Sequence, residues 1–384
     1  INGLASAMDG STSSQFWSVQ GLINTGNINN LPKVGLYVTL AVAYVALAGP
    51  GLYFFWKQRG MRQYYQLSVG ILSLCCTGMV LLMGMSTRFT GPFFTYATIK
   101  DTDRDEISET TFINMRAPYN KPYSVTLNPE YTLYPLTGSA YYNMGPLPKF
   151  TGEETPSITI HYDDEGTRVR SDNVGAFNSK FFMMERRMEN GQQEGFTGDV
   201  NSFDGKVTGT LTNNYGQEVD NVAILLYNQM ILIGHMEPGE TVSLDGMKVI
   251  YGITNFGYAM AEQITGASRY KEDKDIRDAA YVQALERTNL LSFYMGNYLS
   301  GYHSEARVLG FSNEKEETGF LKSSNYETYG STLLTSSIDV NYEQDGMIYK
   351  SALQKQPNVL SGEYYASNNS MYGLTPVMLE YYLG

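Results

Sequence analysis

The chain has 384 residues, 42 % hydrophobic and 17 % charged, with 27 Lys+Arg against 39 Asp+Glu and a formal net charge of −12. Those values exclude a collagen-like, low-complexity or fully disordered chain, and an acidic balance without a Lys/Arg cluster argues against nucleic acid, because phosphate binding needs concentrated positive charge. The mean hydropathy of −0.27 suggests a soluble protein, yet the apolar residues are gathered in two adjacent stretches near the N-terminus.

Residues 1–33 read as an outer juxtamembrane segment. Phe16, Val19, Leu22 and Ile23 recur at near-helical spacing among Ser, Gln and Asn, the pattern of a short amphipathic helix lying on a membrane surface. Ile1 opens without an initiator Met or a basic leader and Leu383-Gly384 closes without a polar tail, so the sequence is expected to be a piece of a longer or processed chain.

No charged residue occurs in the 23 positions from Val34 to Trp56, or in the 25 from Gln63 to Thr87. At 1.5 Å per residue the shorter run reaches roughly 34 Å, enough for a hydrocarbon core of about 30 Å. Two transmembrane helices are expected, 34–56 and 64–87; the alternative is a pair of helices buried in a large soluble core. Between them the loop 57–63 carries Lys57, Arg59 and Arg62 and no acid. Short basic loops stay in the cytoplasm, which sets the topology: loop inside, both termini outside, in a plasma membrane. Tyr53, Phe54, Phe55, Trp56, Tyr64 and Tyr65 supply the inner aromatic belt, and Lys33 and Arg88 mark the outer boundary.

Neither run holds an acidic or basic residue at membrane depth, which argues against transport by the hairpin itself. Gly49-Pro50-Gly51 predicts a kink or tight packing. Gly49, Gly70 and Gly78, with the small residues Ala41, Ala46, Ala48 and Ser73, allow close helix approach. That approach serves either packing within the hairpin or docking against a partner membrane protein. The only cysteines, Cys75 and Cys76, lie here as small apolar side chains, leaving the rest of the chain without disulfides or thiolate chemistry.

Four basic residues (Lys33, Lys57, Arg59, Arg62) and one acid (Asp9) precede residue 88, so the remainder holds 23 basic and 38 acidic side chains, a net of −15. Here the pattern turns to short Val/Ile/Thr/Tyr/Phe runs punctuated by Gly, Pro and Asn, which predicts a mainly-β ectodomain. Ser157–Tyr162 alternates and meets the turn Asp163–Gly166. Within Gly205–Leu244 the runs at Val207–Leu211, Val222–Tyr227, Met230–Ile233 and Thr241–Leu244 predict an immunoglobulin- or fibronectin-like sandwich. Asp275–Tyr298 predicts one helical insertion, and strands resume at Ala306–Phe311 and Ser331–Val340. The expected regions are a first β-rich part at 88–200, a sandwich at 201–265, a helical segment at 266–303 and a β/loop region at 304–384.

Pro32–Tyr65, with Ala48-Gly49-Pro50-Gly51-Leu52-Tyr53 and the basic loop, resembles the hairpin of large uncharacterised membrane proteins of Gram-positive bacteria. Gly209-Thr210-Leu211-Thr212-Asn213-Asn214, Gly234 and Glu237-Pro238-Gly239-Glu240 are similar to their sandwich domain, and Val308-Leu309-Gly310-Phe311 to a later strand. The resemblance implies a cell-envelope role beside transport ATPases and permeases, with an amidotransferase-like domain upstream of the hairpin and no catalytic residue in this chain.

Each histidine stands two residues before an acid: His161/Asp163, His235/Glu237 and His303/Glu305. On a strand each pair shares a face and could ligate a metal, but with no two histidines close together a surface ion pair or turn contact is the simpler expectation. Asp101, Asp103 and Asp105 alternate as in a calcium loop, yet Glu106 and Phe112 occupy the positions that need Gly and Glu, which favours a solvated charge run. No nucleophile elbow or phosphate loop occurs. The expectation is a non-enzymatic, membrane-anchored envelope subunit without catalytic residue, metal or cofactor. Its partners would be the lipid bilayer and other integral membrane proteins, an ABC-type permease or a second copy among them. An extracytoplasmic sensor of a ligand, glycan or cation is the alternative, and an envelope hydrolase the third.

Overall fold

The computed structural model describes residues 19–23, 34–85, 91–136, 158–172, 175–226, 229–251, 257–268, 278–298, 306–312, 319–322 and 326–341, and the backbone of short strands between 343 and 380. Two compact units result, Gly26–Thr90 and the rest of the chain. Phe16, Lys33, Arg88, His303 and Glu305 lie outside the described residues.

Helix α1 (19–23) belongs to the larger unit. The smaller one holds α2 (Val34–Ala46), a π-helical turn at Leu47–Gly51, α3 (Leu52–Gln58) and α4 (Tyr65–Met85), entered through a 3-10 turn at Arg62–Tyr64. Gly35–Gln58 (24 residues) and Arg62–Gly84 (23 residues) are long and apolar enough to cross a membrane, and neither is buried inside the protein. Leu74 is 77 % exposed. Two long, apolar and exposed helices thus stand where two membrane spans are expected.

The larger unit is built on one nine-stranded sheet. Its strands are β1 (Phe93–Thr102), β2 (Glu106–Arg116), β4 (Thr132–Leu136), β7 (Lys180–Glu189), β10 (Val219–Leu226), β11 (Gln229–Met236), β13 (Val249–Tyr251), β14 (Ala306–Ser312) and β15 (Glu327–Ile338). Their order is β13-β11-β10-β14-β15-β1-β2-β7-β4. The join is β15, twelve residues long, which pairs in parallel with β1 (Phe93↔Glu327 to Thr102↔Ser336) and antiparallel with β14.

Period-two alternation sends each strand's side chains to different layers. On one face Ala97, Ile99, Phe112, Phe181, Ala223, Leu309, Phe311 and Leu333 pack under α1, α5 (Gly257–Thr265) and α6 (Ala279–Asn297). On the other face two separate cores form. Val222, Ile224, Ile231, Val308 and Leu334 meet Phe196, Val200, Val207 and Leu211 of the four-stranded sheet β12-β9-β8-β16. That sheet comprises β8 (Phe196–Phe203), β9 (Lys206–Asn213), β12 (Thr241–Ser243) and β16 (Val340–Asn341). Phe94, Ile113, Met115, Phe182 and Met184 meet Val125, Leu127 and Val169 of the three-stranded sheet β3-β6-β5, made of Tyr123–Leu127, Gly166–Ser171 and Ile158–Asp163.

The mainly-β expectation holds in this form: two β layers stack twice, but both stacks share one sheet whose far face is covered by helices. This differs from an immunoglobulin-like sandwich closed within 201–265. Strands expected in the regions 88–200, 201–265 and 304–384 are neighbours in a single sheet. The single helical insertion is two helices, with α5 starting inside the region expected to be sandwich.

Candidate functional site

In the hairpin unit the backbone is set by Pro50. Without an N–H it cannot serve the Ala46 carbonyl, and the Leu52 N–H turns to the carbonyls of Leu47 and Gly49. In an α-helix that N–H would go to Ala48. The Tyr65 hydroxyl instead donates to the Ala48 carbonyl at 2.9 Å. A Cβ at Gly51 would stand 3.1 Å from the Ala46 carbonyl oxygen, so the residue after Pro50 is small for a local reason. At Gly49, Gly70 and Gly78 an added Cβ would meet nothing within 4 Å. Close approach at those three positions is therefore not made within the hairpin.

At the closed end the aromatic residues cluster with the basic ones. The Trp56 indole donates to Ser68 Oγ at 2.9 Å, Arg59 lies 4.4 Å from the centre of the Phe55 ring and Lys57 5.8 Å from that of Tyr53. Arg62 begins the turn into α4. Aromatic faces and cationic heads gathered at one end of apolar helices suit the level where hydrocarbon meets headgroups.

In the larger unit the alternating acids form the hairpin turn between β1 and β2, closed by Asp103 N–H to the Glu106 carbonyl at 2.9 Å. They do not converge. Asp101 pairs with Arg307 at 2.6 Å, and Asp103 accepts from the Ser337 hydroxyl. Asp105 gives its carbonyl to Asn190 N–H at 2.9 Å. The Asn190 side-chain amide donates to the carbonyls of Asp103 and Glu194 at 2.8 and 2.9 Å, locking this turn to the next.

Beside them opens a cleft of about 230 Å³, lined by Asp103, Arg104, Gln193, Glu194, Gly198 and Asp339 among others. Glu194 is paired with Lys100 at 2.8 Å. Arg104 and Asp339 have no partner among the described residues. Beneath this end of the sheet Tyr215 is fully buried, its hydroxyl on Thr102 at 3.0 Å and Ser336 at 3.3 Å, and burial pushes that phenol's pKa up.

The histidine pairs separate. The Asp163 carboxylate accepts from Glu165 N–H and Gly166 N–H, capping its turn rather than facing His161. His235 meets Asp220 at 2.7 Å through Nδ1 and Glu237 at 3.3 Å through Nε2, so its partners lie on opposite edges of the ring and do not share a point in space. Among the described residues no group of three His, Cys, Asp or Glu side chains could hold a metal ion.

Sequence reasoning missed the paired site around Glu109. Glu109 is 8 % exposed and accepts from Arg186 at 2.6 Å and from the Tyr131 hydroxyl at 2.9 Å, with the guanidinium 4.7 Å from the Tyr131 ring centre. No local signal marks it, since its three members lie on different segments.

The larger unit is thus a mainly-β protein with helices on one sheet face. Residues 195–341, from the start of β8 through β16, match a family model described as a domain of unknown function (DUF8725). No curated protein matches the chain. Among solved structures, the yeast delta-COP-I mu-homology domain complexed with Dsl1 WxWxV peptide aligns at 9 % identity over 65 % of this chain and 97 % of that one, with a TM-score of 0.30. The yeast delta-COP-I mu-homology domain alone aligns at 10 % identity over 66 % and 98 %, with a TM-score of 0.29.

Proposed function

We propose that the chain is a non-enzymatic, membrane-anchored subunit of the cell envelope. Its hairpin spans the plasma membrane with the basic loop in the cytoplasm, and it serves as a scaffold or accessory to another integral membrane protein, such as an ABC-type permease. The observation that carries this reading is the pair of long apolar helices whose side chains, such as Leu74 and Leu82, are exposed among the described residues. About 20 apolar residues exposed on all sides of a helix are stable only in lipid or against another apolar helix. Gly49, Gly70 and Gly78, which no neighbour fills, leave room for a second backbone. Detergent purification from native membranes is expected to recover the chain with stoichiometric partners, and a monodisperse monomer overturns the scaffold reading.

A second reading, an extracytoplasmic receptor, draws on the cleft with Arg104 and Asp339 at its rim. Unpaired charges of both signs suit a small zwitterionic or polyhydroxylic ligand. Thermal shifts with amino acids and sugars test it: a shift abolished by Arg104→Ala supports a receptor, and no shift with any of them ends this reading.

A further inference from the structure

We propose that the outer edge of β5 (Ile158–Asp163) pairs with the same strand of a second copy of this chain, antiparallel about a two-fold axis at Ile160. The edge belongs to the larger unit alone, and the pairing does not depend on what the hairpin does. β5 ends the three-stranded sheet β3-β6-β5, with β6 as its neighbour. Its register closes on Asp163↔Gly166 across a two-residue loop, and the closing residues of such a hairpin bond to each other. Bonding then alternates along the strand. Thr159, His161 and Asp163 turn their backbone groups to β6, while Ile158, Ile160 and Tyr162 turn theirs away. Among the described residues no backbone group bonds to these three N–H and three C=O groups.

Among the described residues, the other edges of the three stacked sheets are covered, broken or short. Residues 319–322 lie along β3: Leu127 bridges Leu321, Asn128 N–H donates to the Phe320 carbonyl at 2.9 Å and Lys322 N–H to the Thr126 carbonyl at 3.2 Å. β4 carries Pro135, and β12, β13 and β16 have three, three and two residues. β5 has six residues, with no proline, lysine or bulge among them. An edge strand without those devices is a template for another strand.

A second β5 fits that edge at each position. Laid antiparallel with Ile160 on the axis, it sets Ile160 against Ile160 and Ile158 against Tyr162 twice, which satisfies the outward backbone groups of both copies. On the inner side Ile158 and Ile160 pack against the core of Val125, Leu127 and Val169, and a second pair extends it. The Tyr162 ring, 60 % exposed with its hydroxyl on the Leu133 carbonyl at 3.0 Å, gains a β-branched neighbour. On the outer side Thr159 faces His161. Charge allows the approach. Asp163, Asp164 and Glu165 lie at the turn, outside the paired stretch 158–162, and Arg168 and Arg170 on β6 flank His161 and Thr159. The nearest acids across the axis, Asp163 of one copy and Asp172 of the other, are two strands or about 10 Å apart. Asp172 is paired with Arg170 at 3.0 Å.

The test uses the full chain in detergent, with Cys75→Ala and Cys76→Ala in every sample and each variant made with two tags of different size. In this register Thr159 of one copy and His161 of the other are about 4.5 Å apart between Cα atoms, within disulfide reach, whereas Thr159–Thr159 and His161–His161 are diagonal at about 7–8 Å. Both residues are exposed, so their substitution spares the fold. Mild oxidation of Thr159→Cys mixed with His161→Cys is expected to give about ten-fold more mixed-tag dimer than either variant alone. Thr210→Cys, exposed on β9, reports random collision. Equal yields in all samples, no link in any, or more self-linking than mixed linking each overturn the pairing. Ile160→Pro, added to both cysteine variants, removes an outward N–H and leaves the β6 ladder whole. It is expected to abolish the link with the melting temperature close to the parent's, and a link that survives it overturns the pairing. Should the proline disturb the fold, the comparison of cysteine variants decides.

Discussion

Arg307 on β14 reaches Asp101 on β1 at 2.6 Å across β15, the strand that lies between them. The pair lies on the helix-covered face, next to Thr335, whose hydroxyl is 3.3 Å from that of Tyr294 on α6. It therefore joins three strands where the two halves of the sheet meet. Asp101→Ala takes the paired carboxylate from a guanidinium that is 18 % exposed and leaves it Tyr294 and the more distant Asp103, a loss of about 1–3 kcal/mol. Chemical denaturation of the full chain in detergent is expected to show that loss. Calcium or EDTA should leave the melting temperature where it is, because Asp101 and Asp103 already serve Arg307 and Ser337; a calcium-dependent rise would restore the cation-loop reading.

His235 carries the pH dependence that can be assigned. Hydrogen bonds to Asp220 and then Glu237 raise its pKa above the ordinary 6.5, and Asp220 is itself shared with Arg287 at 3.3 Å. A folded pKa above the unfolded one means a contribution fully present below pH 6.5 and lost as pH rises through the folded value. The melting-temperature difference between wild type and His235→Ala should thus be largest in mildly acidic buffer and close as pH rises beyond that value. The ring is 45 % exposed, so solvent keeps the difference small. Equal pH profiles for the two proteins would count against the ion pair in solution.

The hairpin, the β character of the remainder and the course of Gly205–Leu244 were legible because each is written in local periodicity and turn residues. The partition of the ectodomain was not. The pairing of β1 with β15 joins residues more than two hundred positions apart, and no local pattern in Phe93–Thr102 announces a parallel neighbour. The acids at 101, 103 and 105 and the histidines were visible, but their partners Arg307, Ser337 and Asp220 come from other strands. Glu109 and Arg186, joined in a shielded pair, lie 77 positions apart with no shared motif. The motif glycines are a middle case. Gly209 stands out in sequence, while its cause, a φ of 114° with an added Cβ 1.9 Å from the Asp199 carbonyl, needs the paired strand.

Gly330 turns that cause into a prediction about the join itself. It lies opposite Tyr96 in the β1–β15 pairing, and an added Cβ would stand 2.1 Å from the Tyr96 carbonyl oxygen and 2.7 Å from its ring. Backbone cannot yield as a side-chain tip does, so Gly330→Ala should destabilise the β unit by about 1–3 kcal/mol or more. Gly191→Ala, where the methyl meets nothing within 4 Å, is the control and should change stability by no more than about 0.5 kcal/mol. Equal unfolding midpoints for the two variants would remove the close approach.

The bond from Tyr65 to Ala48 should exist for the sake of Pro50. With Pro50 in place the Leu52 N–H goes to Leu47 and Gly49, and the Ala48 carbonyl takes the Tyr65 hydroxyl. Tyr65→Phe then strands a carbonyl in an apolar setting, a loss of about 0.6–1.7 kcal/mol by the measured range for side-chain hydrogen bonds in membranes. Pro50→Ala returns an N–H to the turn and allows the α-helical ladder to close over Ala46 and Ala48, after which Tyr65→Phe should cost almost nothing. A double-mutant cycle read by helical circular dichroism during unfolding in SDS measures the coupling. Additive effects of the two substitutions would show that the hydroxyl does not answer the proline, and that the π-helical turn is maintained by other contacts.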